Sequence, residues 1–255
     1  MNYYFYIIIS AEMKNFPKFS ASCEKFRFMN KKNKIWKPLI SDPKLLEEYS
    51  VGLGVKSKIS FIDIYTTEET EFYFCGINPI SLIALVPIND EKICKKRNKL
   101  GCEMNISQSV WFMKQYITNS CSAVALLHSI LNNDKIELEE ESIAKMLLNL
   151  KGDPNDLPRE RGFYLINDKN IEYLHEKLSS RDLTKDCDKS EFHYVSFVSN
   201  HGHIIELDGR LPCQISHGVC KSDEFLKNTL KIIKEHFILP IGINGKIAIV
   251  ALCIK

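Results

Sequence analysis

The stretch Val110–Asn132 combines residue types that could perform nucleophilic catalysis. Gln115 and Cys121 lie six residues apart in it, and the apolar spacing that follows predicts a helix over Thr118–Leu131. Cys121 then falls in the first helical turn, where unpaired N–H groups and the helix dipole favour the nucleophilic thiolate. A carboxamide nearby, such as that of Gln115, can join a backbone N–H in holding a developing oxyanion.

A cysteine nucleophile needs a base, and the base needs a group that orients it. His193 lies on a predicted strand, and Asp208 follows fifteen residues later, at the end of the next predicted strand. The intervening Asn200-His201-Gly202 predicts a hairpin turn, so the two strands would present imidazole and carboxylate side by side. In chain order the four groups are glutamine, cysteine, histidine and aspartate, which is the order of papain-like cysteine proteases with the last member varied.

Each of these residues also has a structural interpretation. A cysteine near a helix start is commonly a small buried apolar residue. A histidine on a strand is commonly held by structural hydrogen bonds, and Asp-Gly-Arg after a strand is commonly a turn. His128, seven residues after Cys121 on the same helix face, is interpreted as buried polar structure. On the residues alone, the catalytic and the structural interpretations both stay open.

The elements that must position these residues mix helical and extended patterns. Helices are predicted over Pro43–Val51, Thr118–Leu131, Ile136–Leu150, Pro158–Tyr173 and Asp223–Phe237. Strands are predicted over Lys58–Tyr65, Ser81–Pro87, His193–Ser199, Ile204–Leu207 and Lys246–Ile254. Two charged stretches without apolar periodicity, Lys92–Asn105 and Glu176–Glu191, are predicted to be loops. The mixture predicts an α+β fold in which helices pack on a largely antiparallel sheet.

Composition and charge exclude several classes of protein. The chain has 255 residues, of which 45% are hydrophobic and 26% charged, as in an ordinary globular protein. No stretch approaches the roughly 18 apolar residues that a membrane-spanning helix needs. Residues 1–35 hold seven Lys and Arg against two Asp and Glu, whereas the whole chain has a net charge of +2. Residues 36–255 are therefore mildly acidic, which disfavours a nucleic-acid partner.

Cysteine usage indicates the compartment. Nine cysteines, an odd number, are scattered along the chain without a CxxC pair, unlike a secreted disulfide framework. We therefore expect a reducing compartment and a cytoplasmic location. No metal site is expected, because the candidate ligands match no tight zinc-binding spacing. Those candidates are His201, His203, Cys213, His217 and Cys220.

Eight short sequence motifs follow one another in the part of the chain from Trp36 to Lys255. They are Trp36-Lys37-Pro38-Leu39, Asp42-Pro43, Phe61-Ile62-Asp63-Ile64-Tyr65, Trp111-Phe112-Met113-Lys114-Gln115, Asn119-Ser120-Cys121, Leu126-Leu127-His128-Ser129, Phe192-His193 and Glu206-Leu207-Asp208-Gly209-Arg210. In these motifs the chain resembles the ubiquitin carboxyl-terminal hydrolase (UCH) family of cysteine peptidases, in its small single-domain type.

The resemblance implies a papain-like fold, with a central six-stranded antiparallel sheet flanked by helices and a knotted backbone. Residues 36–255 would form the catalytic domain, and residues 1–35 would be a disordered N-terminal extension or one ordered on the surface. By matched position, Cys121 is the nucleophile and His193 its base. Asp208 then orients the base, and Gln115 supplies the oxyanion-hole side chain.

One position departs from the family pattern, which usually has Gly directly after the nucleophile. Here Ser122 follows Cys121. A serine fits the first turn of a helix, so the backbone need not change. Its side chain could still crowd the substrate tail or compete for hydrogen bonds.

The implied activity is that of a thiol hydrolase that removes small adducts or short peptides from the C-terminal Gly of ubiquitin. No cofactor is implied, and a monomer is expected. Asp63 is expected to seat the basic tail of ubiquitin, since carboxylates pair well with Arg. In the family, the segment that matches Glu176–Glu191 crosses over the active site and would limit the size of the leaving group. Two alternatives stay open: a hydrolase of a ubiquitin-like protein such as the neddylation modifier, and a non-catalytic ubiquitin-binding protein.

Overall fold

The computed structural model describes residues 34–67, 76–87, 97, 100, 109–181, 192–241 and 247–255. Residues 1–33 of the predicted extension lie outside the described residues, and so do residues 182–191 of the predicted charged loop. Among the helices of the described ranges, none has the length and apolar character needed to cross a membrane.

A sheet of six antiparallel strands forms the centre of the described part of the chain. Its strands are β1 (Ile59–Asp63), β2 (Ser81–Pro87), β3 (Phe192–Asn200), β4 (His203–Leu207), β5 (Ile215–Val219) and β6 (Ala248–Ile254). Their spatial order is β1-β6-β2-β3-β4-β5, and each neighbouring pair is antiparallel. This confirms the six-stranded antiparallel sheet that the resemblance implied. The knotted backbone and the domain boundary at residue 36 stay predictions.

Seven helices are present in the described part of the chain. They are α1 (Pro43–Leu53), α2 (Cys121–Leu131), α3 (Ile143–Leu148), α4 (Leu157–Asn167), α5 (Lys169–Ser179), α6 (Phe225–Ile233) and α7 (Leu239–Ile241). A 3-10 turn at Ser222–Glu224 precedes α6, and a π-helical turn at Lys234–Ile238 joins α6 to α7. The helix predicted over Asp223–Phe237 therefore exists, but it is divided into three kinds of helical turn.

Side-chain caps begin helices α1 and α3, and a glycine follows the end of α1. The Asp42 carboxylate accepts a hydrogen bond from the Leu45 N–H at 2.9 Å, which starts α1 as the sequence predicted. Helix α1 ends at Gly54, whose φ of 104° is a left-handed conformation that glycine adopts without strain. The side chain of Ser142 caps α3 in the same way, with the Lys145 N–H at 3.2 Å.

The prediction of one helix over Pro158–Tyr173 is wrong, because the chain turns at Asp168. The Asp168 carboxylate accepts hydrogen bonds from the N–H groups of Asn170 and Ile171, at 2.8 and 2.9 Å, and so begins a second helix. Helix α5 continues to Ser179. The first residues of the predicted Glu176–Glu191 loop are therefore helical.

Three further predictions need correction. The helix predicted over Ile136–Leu150 is shorter and spans only α3. Strand β5 was not predicted from the residues, because Ile215–Val219 is short and carries His217 and Gly218 in place of an apolar alternation. Of the loop predicted over Lys92–Asn105, only residues 97 and 100 are described, and Arg97 has helical backbone and a buried side chain.

The sheet separates two apolar layers. Helices α1 and α2 pack with one face, and α6 packs with the other. Along β3, Tyr194 belongs to the first layer whereas Val195 and Phe197 belong to the second, as expected from the alternation of side chains in a strand. All the residues of α2 are buried. This central helix therefore holds its first residue, Cys121, in a fixed position at the edge of the core.

Candidate active site

A tight turn places Cys121 at the first position of α2. Asn119 has a φ of 65°, a left-handed conformation that Asn tolerates better than most residues. Its side-chain Nδ2 donates to the Trp36 carbonyl at 2.8 Å, which ties the turn to the start of the described chain. The Ser120 hydroxyl donates to the Ile117 carbonyl at 2.9 Å. These bonds fix the direction in which the chain enters the helix.

A buried cluster of serines fastens α2 to the sheet. The Ser81 hydroxyl on β2 donates to the Ser129 hydroxyl on α2 at 2.8 Å and lies 2.9 Å from the Phe197 carbonyl. Ser129 also lies 2.8 Å from the Ser196 hydroxyl on β3. Hydrogen-bonded polar groups in a core specify one packing arrangement, because a shifted helix would leave them unpaired. Strand β3, which carries the candidate base, is thus linked directly to the helix of the candidate nucleophile.

The structure brings Cys121, His193 and Asp208 together. The His193 Nε2 lies 2.7 Å from Asp208 Oδ1. The His193 side chain and the Tyr194 backbone both interact with the Cys121 thiol and lower its pKa. The exposed fractions of Cys121, His193 and Asp208 are 8%, 3% and 1%, so these contacts form in a site of low water access.

The electrostatics of the three groups favour a thiolate beside an imidazolium. Burial raises the pKa of the Cys121 thiol, but the hydrogen bond and charge of His193 lower it more, with a further contribution from Arg210. Burial lowers the pKa of His193, and the Asp208 carboxylate more than reverses this effect. The pKa of Asp208 stays well below its usual range despite burial, because His193 and Arg97 stabilise the carboxylate. A thiolate beside an imidazolium is chemically able to act as a nucleophile with an adjacent proton donor.

Gln115 lies in the segment that leads to α2, and its backbone is held against the turn after Asp208. The Gln115 N–H donates to the Gly209 carbonyl at 2.8 Å. A Cβ at Gly209 would lie 2.9 Å from the Gln115 nitrogen, so only glycine allows this close approach. The Gln115 carboxamide donates to the Ile117 carbonyl at 3.1 Å. Its second N–H is chemically able to serve an oxyanion.

Asp63 lies apart from the three clustered groups. It ends β1, and β6 and β2 separate that strand from β3, which amounts to about 14 Å at the usual strand spacing. Its carboxylate accepts a hydrogen bond from the exposed Tyr65 hydroxyl at 3.3 Å. Asp63 therefore does not take part in the cluster, although it remains accessible to a long substrate.

Two charged residues next to Asp208, Arg97 and Glu206, were not predicted to belong to the site. Arg97 donates to Asp208 Oδ2 at 3.0 Å and to Glu206 Oε1 at 2.8 Å, and both acidic side chains are buried. Glu206 could have been noticed as a charged residue inside the otherwise apolar Ile204–Leu207 strand. No signal distinguishes Arg97 from the other basic residues of its charged stretch.

His128 and Ser122 have the local structures that the sequence predicted. His128 is fully buried, accepts a hydrogen bond from the Met113 N–H at 3.1 Å and stacks on Phe112. Burial lowers the pKa of His128 to about 3, so its ring is neutral and structural. Ser122 occupies the second position of α2 without a break in the helix, and its hydroxyl has no hydrogen-bond partner among the described residues.

The pKa directions predict how the reactivity of Cys121 depends on pH. Asp208→Asn removes the charge that stabilises the imidazolium, so the pKa of His193 should fall and that of Cys121 should rise. A rise of one unit makes alkylation by iodoacetamide about tenfold slower near neutral pH. The measurement is the rate of modification of tryptic peptide 115–135, which contains only Cys121, as a function of pH. Asp223→Asn, at an exposed position, is the matched control. Equal pH profiles for the two variants would contradict the role of Asp208 in stabilising the His193 imidazolium.

Comparison with known proteins agrees with this geometry. The family model described as "Ubiquitin carboxyl-terminal hydrolase, family 1" matches residues 36–238. A probable ubiquitin carboxyl-terminal hydrolase of Dictyostelium discoideum is 34% identical over 211 residues, which cover 79% of this chain and 82% of that protein. Human ubiquitin carboxyl-terminal hydrolase isozyme L1 is 30% identical over 202 residues, or 78% of this chain and 90% of the relative.

A solved structure is similar in fold. It is the catalytic domain of Trichinella spiralis UCH37 bound to ubiquitin vinyl methyl ester, with a TM-score of 0.65 and 23% identity. The match covers 86% of this chain and 96% of that one. The papain-like fold expected from the sequence is therefore confirmed. By the match to the family model and by these relatives, the chain belongs to the ubiquitin carboxyl-terminal hydrolases of family 1, which are cysteine hydrolases.

Proposed function

We propose that this protein is a deubiquitinating thiol hydrolase that uses a Cys121-His193-Asp208 triad to cleave bonds at the C-terminal Gly of ubiquitin. The observation that carries the proposal is the buried arrangement in which His193 lies 2.7 Å from Asp208 on one side and interacts with the Cys121 thiol, whose pKa it lowers. A nucleophile, a base and an orienting carboxylate in this order are the parts that acyl transfer needs. The family membership and a relative in fold that binds a ubiquitin ester support ubiquitin as the substrate.

The reaction follows from the roles of the three groups. The Cys121 thiolate attacks the carbonyl carbon of the terminal Gly and forms a tetrahedral oxyanion. As this species collapses, the bond to the leaving amine or thiol breaks, and His193 gives that group its proton. Water then transfers a proton to His193 and attacks the thioester. Free ubiquitin leaves, and the thiolate-imidazolium pair is restored.

Gln115 is proposed as a donor to the oxyanion. The segment that carries it is fixed by backbone bonds to the Asp208 turn on one side and leads directly into α2 on the other. The N-terminal N–H groups of α2 provide the second donor, since Ser120 makes no side-chain cap to the helix. Both donors would act mainly when charge develops on the substrate oxygen.

Gln115→Ala is expected to lower kcat by about 10²-fold and to change KM little, because an oxyanion donor acts in the transition state. The measurement is steady-state hydrolysis of a fluorogenic ubiquitin ester. Cys121→Ala is the negative control for hydrolysis, because it removes the nucleophile and should leave ubiquitin binding intact. A change in KM alone would place Gln115 in substrate binding instead.

A covalent probe tests the proposed function and separates it from its alternatives. Ubiquitin and the neddylation modifier are each given a C-terminal electrophile, such as a vinyl methyl ester, and incubated with the protein. We expect attachment of ubiquitin at Cys121 and slower attachment of the modifier. Faster attachment of the modifier would favour the hydrolase of a ubiquitin-like protein. Ubiquitin binding without attachment would favour the non-catalytic protein. The monomeric state and the cytoplasmic location stay predictions.

Asp63 is proposed to bind the basic tail of ubiquitin at the accessible end of β1. Asp63→Ala is then expected to raise KM for the ubiquitin ester several-fold and to leave kcat unchanged, because the lost Arg-carboxylate pair acts in binding. Asp63→Glu keeps the charge and should recover part of the affinity. Removal of another exposed carboxylate, in Asp134→Ala, is the control. A wild-type KM in Asp63→Ala would remove this residue from the site.

The leaving group is proposed to be small or unfolded. Residues 180–191 connect α5 to β3, and β3 begins one residue before His193. Fully extended, these residues span at most about 42 Å. A chain of this length, tied at both ends, is too short to arch over a folded domain, whose radius of gyration alone is about 13 Å. The family resemblance supports a path of this segment over the substrate tail.

The protein is therefore expected to cleave a ubiquitin ester or a short peptide fusion much faster than isopeptide-linked di-ubiquitin. Insertion of about ten Gly and Ser residues after Thr184 lengthens the connection and should increase di-ubiquitin cleavage. Hydrolysis of the ester by the insertion variant is the control for folding. Equal native rates on both substrates, or no effect of the insertion, would contradict a size limit set by this segment.

A further inference from the structure

A buried arginine lies between the two acidic residues at the end of β4. The Arg97 Nη2 is 3.0 Å from Asp208 Oδ2 and 2.6 Å from Glu206 Oε1. Its Nε donates a second bond to the same Glu206 oxygen, at 2.8 Å. The exposed fraction of the Arg97 side chain is 4%, and those of both acidic side chains are 0%. One guanidinium therefore binds both carboxylates out of contact with water.

The two oxygens of Asp208 have separate partners. Oδ1 faces the His193 imidazole at 2.7 Å and also accepts the Arg210 N–H at 2.9 Å. Oδ2 accepts from Arg97. A carboxylate held through both oxygens cannot rotate about its Cβ–Cγ bond without breaking one of these bonds. The bond to Arg97 therefore fixes the angle at which Asp208 meets His193.

Further contacts fix Arg97 in turn. Its guanidinium lies 4.9 Å from the ring centroid of Phe237, on the π-helical turn after α6. The other Glu206 oxygen lies 2.9 Å from His217 Nε2 on β5. Glu206 pairs with Phe197 across β4 and β3, so it lies on the sheet face that α6 covers. A line of buried polar contacts thus runs from the site to the edge strand of the sheet.

We infer that Arg97 is a positioning residue of the hydrolase, which holds Asp208 in the orientation that keeps His193 aligned with Cys121. The inference rests on the proposed function. The acidic partners of Arg97 among the described residues are Asp208 and Glu206, and of these Asp208 bonds His193, so an effect of Arg97 on the base passes through Asp208. Glu206 and His217 serve as its anchor. The planar fork of Arg is suited to this task, because it directs N–H groups to two carboxylates at fixed angles.

A purely structural role would be different. Glu206 and Asp208 are two buried negative charges on one strand, and a cation near them is needed for folding whatever the reaction. If Arg97 did no more than neutralise Glu206, removing both charges together would restore the site. If Arg97 orients Asp208 through the direct bond to Oδ2, the site stays impaired when both are removed. These two roles predict different behaviour in a double variant.

The kinetic test compares variants in hydrolysis of the ubiquitin ester. Arg97→Met is expected to lower kcat by at least about 30-fold with KM within threefold of the wild type, because only the alignment of the base changes. Arg97→Lys keeps the charge without the fork and should recover only part of the rate. Arg159→Met, an exposed change of the same type on α4, should be as active as the wild type.

The double variant Arg97→Met/Glu206→Gln removes a balanced pair of charges. We expect it to unfold at a higher temperature than Arg97→Met and to keep at least a tenfold loss of kcat. Recovery of wild-type kcat in the double variant would overturn the inference, and so would wild-type kcat in Arg97→Lys. Should Arg97→Met fail to fold, the Lys and double variants still decide between the two roles.

The pH profile supplies a readout that a structural role would not move. Among the described residues, the charged and titratable groups facing His193 are Cys121 on α2 and Asp208 after β4, with Arg97 and Arg210 beyond Asp208. Without Arg97, the Asp208 carboxylate loses the bond to Oδ2 that fixes its orientation towards His193. The pKa of His193 should then fall and that of Cys121 should rise. In the double variant, where the removed charges balance, iodoacetamide should modify peptide 115–135 more slowly near neutral pH.

The alkylation rate is measured without ubiquitin. It therefore tests the positioning role of Arg97 separately from the proposed hydrolase function. An inactive wild type on all ubiquitin substrates would overturn the proposed function. Wild-type alkylation rates in the double variant would overturn the positioning role of Arg97, even if the wild type hydrolyses ubiquitin esters. Slow alkylation together with low kcat in the double variant is the result that supports the inference.

Discussion

The Asp208 carboxylate is the point on which the site depends. It is fully buried, yet it stays ionised because His193, Arg97 and the Arg210 backbone all bind it. Removing one partner of a buried ion pair typically costs about 3–5 kcal/mol, since the remaining charge is left without compensation. The ends of β3 and β4 and the residue Arg97 are therefore held in one arrangement. That arrangement also sets the direction of the imidazole towards Cys121.

The clustered site residues were predictable because each has a local signature. Cys121 follows a turn and begins an apolar helix, and the positions of His193 and Asp208 around an Asn200-His201-Gly202 turn fix their separation. The structure has φ values of 48° at His201 and 75° at Gly202, which make the tight hairpin that the prediction required. Arg97 has no such signature. Its partners lie more than a hundred positions away in the chain, and only the folded sheet brings them to it.

The difference between local and long-range signals also explains which helices and strands were predicted correctly. Strand β2 and helix α1 were predicted well, because an apolar run and an Asp-Pro cap with a Gly stop are local signals. The division at Asp168 was missed, since the apolar spacing continues across it and only the capping bonds mark the break. Strand β5 carries little β-forming sequence and is held by its pairing with β4. Elements whose stability comes from neighbours are the ones that a single sequence predicts least well.

Burying the charged groups around Asp208 has a desolvation cost that reduces the free energy of unfolding. Buried ion pairs can often be replaced by apolar residues of similar volume with no loss of stability, or with a gain. On this face of the sheet, the buried charges lie beside an apolar layer that contains Phe197 and Phe237. Glu206 and Arg97 therefore contribute something other than packing. In the proposed function, fixed charges around a buried Asp208 would act more strongly than in solution and would need no reorganisation when the thiolate attacks. Their position around one carboxylate is best explained by the alignment of the base.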